Sequence, residues 1–406
     1  MKILFLNAYF FPETISFSHL ENDLIEGLVE KGHELFVLTP TPTRGISNEQ
    51  YRQYRTRKYE NLYSGRVHVT RFFVPREGKN AIVRALRYFL CNIREYILGQ
   101  KYKDVDMIFA VSTPPTQGFL AGMLSKKLKC PLVYSLQDVF PDSLVSTGLS
   151  KKGSILWKIG RKIEDFTYKN AEHIIVISDG IKRNIMEKGV PEEKITVISN
   201  WIDTQSVVPV SKEENRLFDE FSIPRDKFTV LYAGNFGASQ GTGVIIEAAE
   251  LLKSNDNIQF VLFGGGSGFE GAKAKISEKN LTNVIINPLL PQDRISEVYS
   301  LGDVALITCK KGVGSGAMPS KTWSIMACNT PIIASFDKGS DLDEALTKSG
   351  AGICVEPQNA KELADAIADF ASKENTSVDT RAYVLENASA DICVAKYIEV
   401  LKNAVK

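Results

Sequence analysis

Residues 228–252 read "FTVLYAGNFGASQGTGVIIEAAELL". An apolar run of strand length ends in a turn carrying Gly234 and Gly237, and apolar residues then recur at helical spacing from Val244 onward. A buried strand feeding a helix through a glycine turn is half of a β-α-β unit, and the same order recurs along the chain. Upstream, "KILFLNAY" leads to "SFSHLENDLIEGLVEKG", with Ser16 or Ser18 placed to cap the helix and Gly32 to end it. "HELFVLTP", "VHVTRFFV", "DMIFAVST", "PLVYSLQDV", "AEHIIVIS" and "ITVIS" follow as strands. Downstream come "IQFVLFGGG", "NVIINPLL", "DVALIT", "TPIIAS" and "AGICVEP". Near-continuous Val, Ile, Leu and Phe runs are what strands need when helices cover both faces of a parallel sheet. The reading is an α/β protein of two doubly wound, Rossmann-like domains, since 406 residues exceed one ordinary core. "NWIDTQSVVPVSKEEN" breaks the rhythm, so the domains are expected at 1–203 and 204–389. The last helix, 390–406, is expected to pack back on the first domain.

Composition narrows the function classes. The net charge is +1 with 24% charged residues, so no global imbalance points to nucleic acid. Six scattered cysteines without a CxxC read as buried free thiols of a reducing compartment. The N-terminus reads as a first strand rather than a signal peptide, and no apolar run reaches the length of a spanning helix. A cytoplasmic protein is expected.

In doubly wound sheets ligands lie beyond the carboxyl ends of the strands. Three glycine-rich turns fall there in the second half: "AGNFG", "FGGGSG" and "GVGSG". Exposed backbone N–H groups in such turns suit a phosphate. Gly264, Gly265 and Gly266 do not complete a spaced GxGxxG, and no P-loop is present. Asp104 and Asp106 in "DVD" precede a strand, at the wrong edge for a ligand, and read as solvated loop carboxylates. Ser340 in "SDLDE" reads as a helix cap. His33 and His173 precede strands and read as structural; no metal site is expected.

Several stretches together resemble the retaining glycosyltransferases of family GT4. "EKGHELFVLTP", "QDVFPD", "IIVISDGIKRNIMEKGVPEEKITVISNWID", "LYAGNFGASQGTGVIIEAAELL" and "IMACNTPIIAS" match its passages in order. "YAGN…QG" and "PSK" are similar to the subgroup that transfers amino- or deoxy-sugars in bacterial O-antigen and capsule synthesis. The resemblance implies the GT-B architecture, with two domains facing a cleft and no cofactor. It implies a UDP-sugar donor, such as UDP-FucNAc, and a lipid-diphosphate-linked saccharide acceptor. It places donor binding at Asn235, Gly237, Gln240, Gly264, Gly265, Leu289, Leu290 and the run Ser315, Gly316, Ala317, Met318, Pro319, Ser320 and Lys321. Here the sequence departs from the family. Its glutamate pair falls on Gly316 and Ser324, its diphosphate-gripping arginine and lysine on Asn235 and Gln240, and its Gly-Gly on Ile15-Ser16. Its first-domain histidine is absent, with Ser112 nearby. Lys321, two residues after Pro319, is then the replacement cation for the leaving diphosphate. In the first domain Asp138 is expected to steer the acceptor hydroxyl or stabilise positive charge, with Glu13 as a further catalytic candidate. Ser16, Ser18, His19, Ser112 and Asp142 are the acceptor-side candidates.

Residues 52–103 carry thirteen basic side chains against three acidic ones. Within them "IVRALRYFLCNIREYILG" alternates arginine with apolar residues at near-helical spacing, which suits an anionic membrane surface as well as a solvated face. Peripheral attachment to the inner face of the cell membrane is the expectation. Two other readings stand beside the transferase: a UDP-sugar 2-epimerase of the same shape, and a non-catalytic partner subunit lacking the family's glutamates.

Overall fold

The computed structural model describes residues 1–13, 18–76, 81–146, 150–314, 318–373 and 379–405. The chain divides into two compact units, one of residues 1–199 with 393–406 and one of residues 200–392.

The sheet of the first unit has the order β3-β4-β2-β1-β5-β6-β7-β8. Its strands are β1 (Lys2–Leu6), β2 (Glu34–Pro40), β3 (Tyr59–Leu62), β4 (Val67–Phe72), β5 (Met107–Val111), β6 (Leu132–Leu136), β7 (His173–Val176) and β8 (Ile195–Val197). All pairings are parallel except β3 with β4. The apolar runs explain the middle of this sheet: Ile3, Leu4, Phe5 and Leu6 are fully buried, as are Met107, Ile108 and Ala110. Each such side chain contributes roughly 1.5–3 kcal/mol on leaving water. Strand β3 differs. Its sequence "YENL" alternates exposed and half-buried residues, and it closes the edge as a short antiparallel strand.

The terminal helix Ala390–Asn403 lays its inner face on this unit. Val394 fills the space over Gly27, and the Tyr397 ring meets Phe109 edge-on with its hydroxyl 3.1 Å from Ser135 Oγ.

The second unit has a fully parallel six-stranded sheet of order β11-β10-β9-β12-β13-β14. Its strands are β9 (Phe228–Asn235), β10 (Ile258–Gly265), β11 (Val284–Pro288), β12 (Val304–Thr308), β13 (Ile332–Ser335) and β14 (Gly352–Val355). The order reverses direction between β9 and β12, the switch point at which a doubly wound sheet opens a crevice. Two apolar layers sandwich this sheet. Leu231, Val261 and Ile307 face one layer, while Val230, Phe260 and Leu306 face the other, the alternation that a pleated strand imposes. Ser340 caps the helix Asp341–Ser349 by accepting from the Asp343 amide, as its sequence suggested.

Candidate functional site

The carboxyl edge of the second sheet is built around β9. Gly234 pairs with Gly264 and Asn235 with Gly265, so the turns "AGNFG" and "FGGGSG" leave the sheet side by side. They are laced together: the Phe236 amide donates to Gly265 O at 2.7 Å, and the Gly268 amide to Phe236 O at 2.9 Å. A Cβ at Gly264 would lie 2.1 Å from the Phe236 ring. Gly266 has φ +99°, and its missing Cβ leaves the space that Asn235 Oδ1 occupies. These glycines admit Phe236 below the turn and let the exposed Asn235 lie across it.

Beyond β12 the chain is braced from the same side. Thr308 Oγ1 donates to Gln240 O at 2.7 Å, and the Lys310 amide to Ser239 O at 2.9 Å. The following loop departs from the sequence reading, in which its amides face a ligand. Gly312 N and Gly314 N donate to the two Asp337 carboxylate oxygens at 2.9 and 2.8 Å, and Lys311 N donates to Gln358. The amides of Ser315, Gly316 and Ala317, expected on a ligand, lie outside the described residues. Met318 packs on the core, Pro319 O accepts from Thr322 N, and Ser320 precedes the short helix Lys321–Ala327. Leu289 is exposed, with its amide on Gly264 O and its side chain over Gly265, while Leu290 packs inward.

Lys321 turns back from that helix onto the end of β9. Its Nζ donates to Ala233 O at 3.4 Å, lies 4.1 Å from the centroid of the Tyr232 ring, and would touch a Cβ at Gly234 at 3.3 Å. Tyr232 is held in turn by its hydroxyl, which donates to Asn235 O at 2.8 Å. Among the described residues no carboxylate pairs with Lys321. Desolvation alone pulls its pKa from 10.5 down to about 7. The arrangement is a crowded ammonium held by a ring face and one carbonyl, beside two glycine turns. Among the described residues it has no counter-charge.

In the first unit the candidates lie around the ends of β1, β5 and β6. Glu13 is buried, and its carboxylate accepts from Thr43 N at 2.7 Å, Arg44 N at 2.8 Å and Phe10 N at 3.3 Å. Burial raises its pKa against those donors and the nearby Arg87 guanidinium. Its hydrogen bonds join the loops after β1 and β2. Ser18 Oγ donates to Glu13 O, and His19 follows it at the start of the helix Ser18–Glu30; Ser16 lies outside the described residues. Ser112 Oγ accepts from Gln137 N at 2.9 Å and Asp138 N at 3.4 Å, stapling the end of β5 to the turn after β6. Asp138 lines a small cavity with Pro115, Tyr134, Phe140 and Tyr168, and desolvation there raises its carboxyl pKa. Asp142 is engaged elsewhere. Its carboxylate meets Lys188 Nζ at 2.7 Å and Asn184 Nδ2 at 3.2 Å; burial pulls its pKa up, but these partners hold it below the usual range.

Sequence reading passed over one acid. Glu21 accepts from the buried Asn7 amide at the end of β1, and desolvation with the Glu13 charge raises its pKa to about 8. Its spacing from Ile25 and Leu28, both buried, is the signal that places it on the inner stripe. Asp106 accepts from Lys2 N, while His33, His68 and His173 bond Met1 N, Asn61 with Glu34, and Thr196. Among the described residues no group of three or more His, Cys, Asp or Glu is placed to hold a metal ion.

Residues 22–206 match the family described as Glycosyltransferase Family 4, and residues 213–390 match Glycosyl transferases group 1. The chain belongs to glycosyltransferase family 4. It is a transferase. The putative colanic acid biosynthesis glycosyl transferase WcaI of Escherichia coli K12 is 26% identical over 90% of this chain and 91% of its own. The probable glycosyltransferase WbjE of Pseudomonas aeruginosa is 26% identical over 80% and 82%. Among solved structures, Anabaena Alr3699/HepE in complex with UDP superposes with a TM-score of 0.72 at 16% identity, covering 99% of this chain and 100% of that one. The two parallel-sheet α/β domains of this family 4 chain are those of GT-B glycosyltransferases.

Proposed function

We propose that the protein is a retaining glycosyltransferase of bacterial surface-polysaccharide synthesis. Its donor is a UDP-sugar of the amino- or deoxy-sugar class, and its acceptor a saccharide on a lipid diphosphate. The observation that carries this reading is Lys321 Nζ at the end of β9, desolvated and without a carboxylate partner among the described residues. A leaving diphosphate supplies the missing counter-charge. The HepE complex with UDP supports the donor, and the colanic acid biosynthesis named for WcaI supports the pathway class.

The second unit takes the donor, with Lys321 on the diphosphate and the amides of Asn235 and Gln240 beside it. As the bond from the sugar's anomeric carbon to the diphosphate oxygen breaks, charge grows on that oxygen. A fixed ammonium in a water-poor site stabilises it there most. The acceptor oxygen adds to the same face of the sugar, and its proton passes to the departing diphosphate. In the first unit Asp138 orients the acceptor hydroxyl. The stripe of Val83, Leu86, Phe89, Ile93 and Ile97 on the helix Ala81–Gly99, exposed among basic residues, holds the enzyme at an anionic membrane where a lipid-linked acceptor resides.

A thermal-shift panel of UDP-sugars followed by a transfer assay with a lipid-diphosphate saccharide tests the reading. At a hundred times Kd, the cognate UDP-sugar is expected to raise Tm by about 5–10 °C. The product is expected to keep the donor's anomeric configuration by NMR. Failure of every UDP-sugar to shift Tm or to be consumed would sink the reading. An acceptor-free reaction yielding a C2-epimerised sugar would make the protein an epimerase.

A further inference from the structure

The first unit carries a second exposed apolar group, at the start of the helix Ile155–Asn170. Ser154 caps this helix by accepting from Trp157 N at 3.2 Å, so its first turns are well defined. Ile155, Leu156 and Ile159 are 80, 51 and 52% exposed, unusual for three aliphatic side chains within five residues. The packed face lies to one side of them: Gly160, Glu164, Thr167 and Tyr168 are buried, with Gly160 against Phe140 and Pro141. Residues 143–163 include Lys151, Lys152, Lys158, Arg161 and Lys162 and no acidic residue at all.

This helix shares one layer with Ala81–Gly99. The helix Gln117–Leu128 packs against both. On one side Gln117 Nε2 donates to Glu95 at 2.8 Å, and Gly99 receives Leu124. On the other the Phe119 and Phe166 rings lie 4.6 Å apart, and Gly122 accommodates Phe166 and Asn170. The middle helix exposes Met123, Lys126 and Lys127. Of the layer's acids Glu95 and Glu164 are buried, while Asp165 is exposed and paired with Arg161, which leaves Lys151, Lys152, Lys158 and Lys162 as the basic side chains of this patch.

We propose that the outer side of this three-helix layer is a docking surface for an anionic lipid bilayer, with Ile155, Leu156 and Ile159 as an insertion point separate from the Ala81–Gly99 stripe. Two apolar contacts with lysines around them fix an orientation on the membrane, which a single helix lying on the surface does not. The lysine stems lie along the apolar surface while their ammonium groups reach the phosphates. A second copy of the chain is the poorer occupant, since a twofold contact through this face sets lysine against lysine. The proposal rests on the membrane attachment proposed above and extends it to a different element.

Trp157 gives a direct reporter, because it is half-buried at this tip while Trp201 and Trp323 are buried. Full-length protein is incubated with vesicles of phosphatidylcholine alone or rich in phosphatidylglycerol, some containing brominated lipid. Binding and Trp157 quenching are expected only with phosphatidylglycerol. I155S/L156S/I159S is expected to lose at least tenfold in vesicle binding and all quenching. Its Tm and its sugar transfer to a water-soluble acceptor should not change. K151Q/K152Q/K158Q should lose about fivefold per lysine, on anionic vesicles alone. Wild-type binding by the triple serine variant, or unquenched Trp157 on bound protein, would overturn the insertion point. Loss confined to a V83S/L86S/F89S variant would do the same while sparing attachment through Ala81–Gly99. A dimer by sedimentation that the triple variant dissolves would reassign the patch to self-association. Wild-type protein that pellets with neither vesicle would remove both membrane assignments and leave donor chemistry untouched.

Discussion

Lys321→Met is expected to lower kcat/KM for the UDP-sugar by about 10- to 150-fold, the worth of one charge-assisted hydrogen bond. The same substitution should leave Tm unchanged or raise it. Methionine keeps the unbranched stem over the Tyr232 ring and removes a desolvated ammonium that no carboxylate among the described residues balances. A structural lysine predicts the reverse, a loss of stability with little kinetic effect. Steady-state kinetics and thermal melting of one purified variant separate the two. Unchanged kcat/KM with a lowered Tm would remove Lys321 from the chemistry.

The second large effect is in pH. In the free protein, burial brings Lys321 from 10.5 to about 7. A bound diphosphate favours the charged ammonium and raises that value again. Below pH 7 the proton is already in place, so binding takes none up. Above pH 7 the protein must acquire it, so donor affinity is expected to fall by up to about tenfold per pH unit until the pKa of the complex is passed. Stability of the free protein moves oppositely. The folded value lies below the unfolded one, so the penalty for burying the charge is full below pH 7 and fades as pH rises toward 10.5. Calorimetry with UDP-glucose is the suitable check, because its diphosphate has no proton to lose near neutrality. Lys321→Arg should flatten the profile, since a guanidinium does not titrate there. A wild-type affinity independent of pH between 7 and 9 would contradict the assignment.

The parallel strands were readable because each is a single apolar run closed by a turn, as Ile258–Gly265 is. Strand Tyr59–Leu62 was not, because four residues with a central glutamate and asparagine carry no periodic signal until β4 offers its edge. The helix Asn48–Thr56 was missed although Ser47 and Gln50 spell its capping box, and both reciprocal bonds form. At the donor edge, the glycine turns and Lys321 were identifiable by position after a strand. The capture of Gly312 and Gly314 by Asp337 was not, since those residues lie 23 and 25 positions apart and only the fold joins them. On the acceptor side, residue type alone does not reveal a side chain's partners. Glu13 reads as a catalytic candidate and Asp142 as an acceptor-side one, and no sequence signal tells that one holds three backbone amides and the other a lysine.

A crystal structure of the protein with UDP-glucose bound would show whether Lys321 takes the diphosphate. A diphosphate oxygen is expected within about 3 Å of Lys321 Nζ, over the turns at Asn235–Gly237 and Gly264–Gly266. A nucleotide lodged away from those turns, or Lys321 still on the Ala233 carbonyl with the diphosphate beyond its reach, would contradict it.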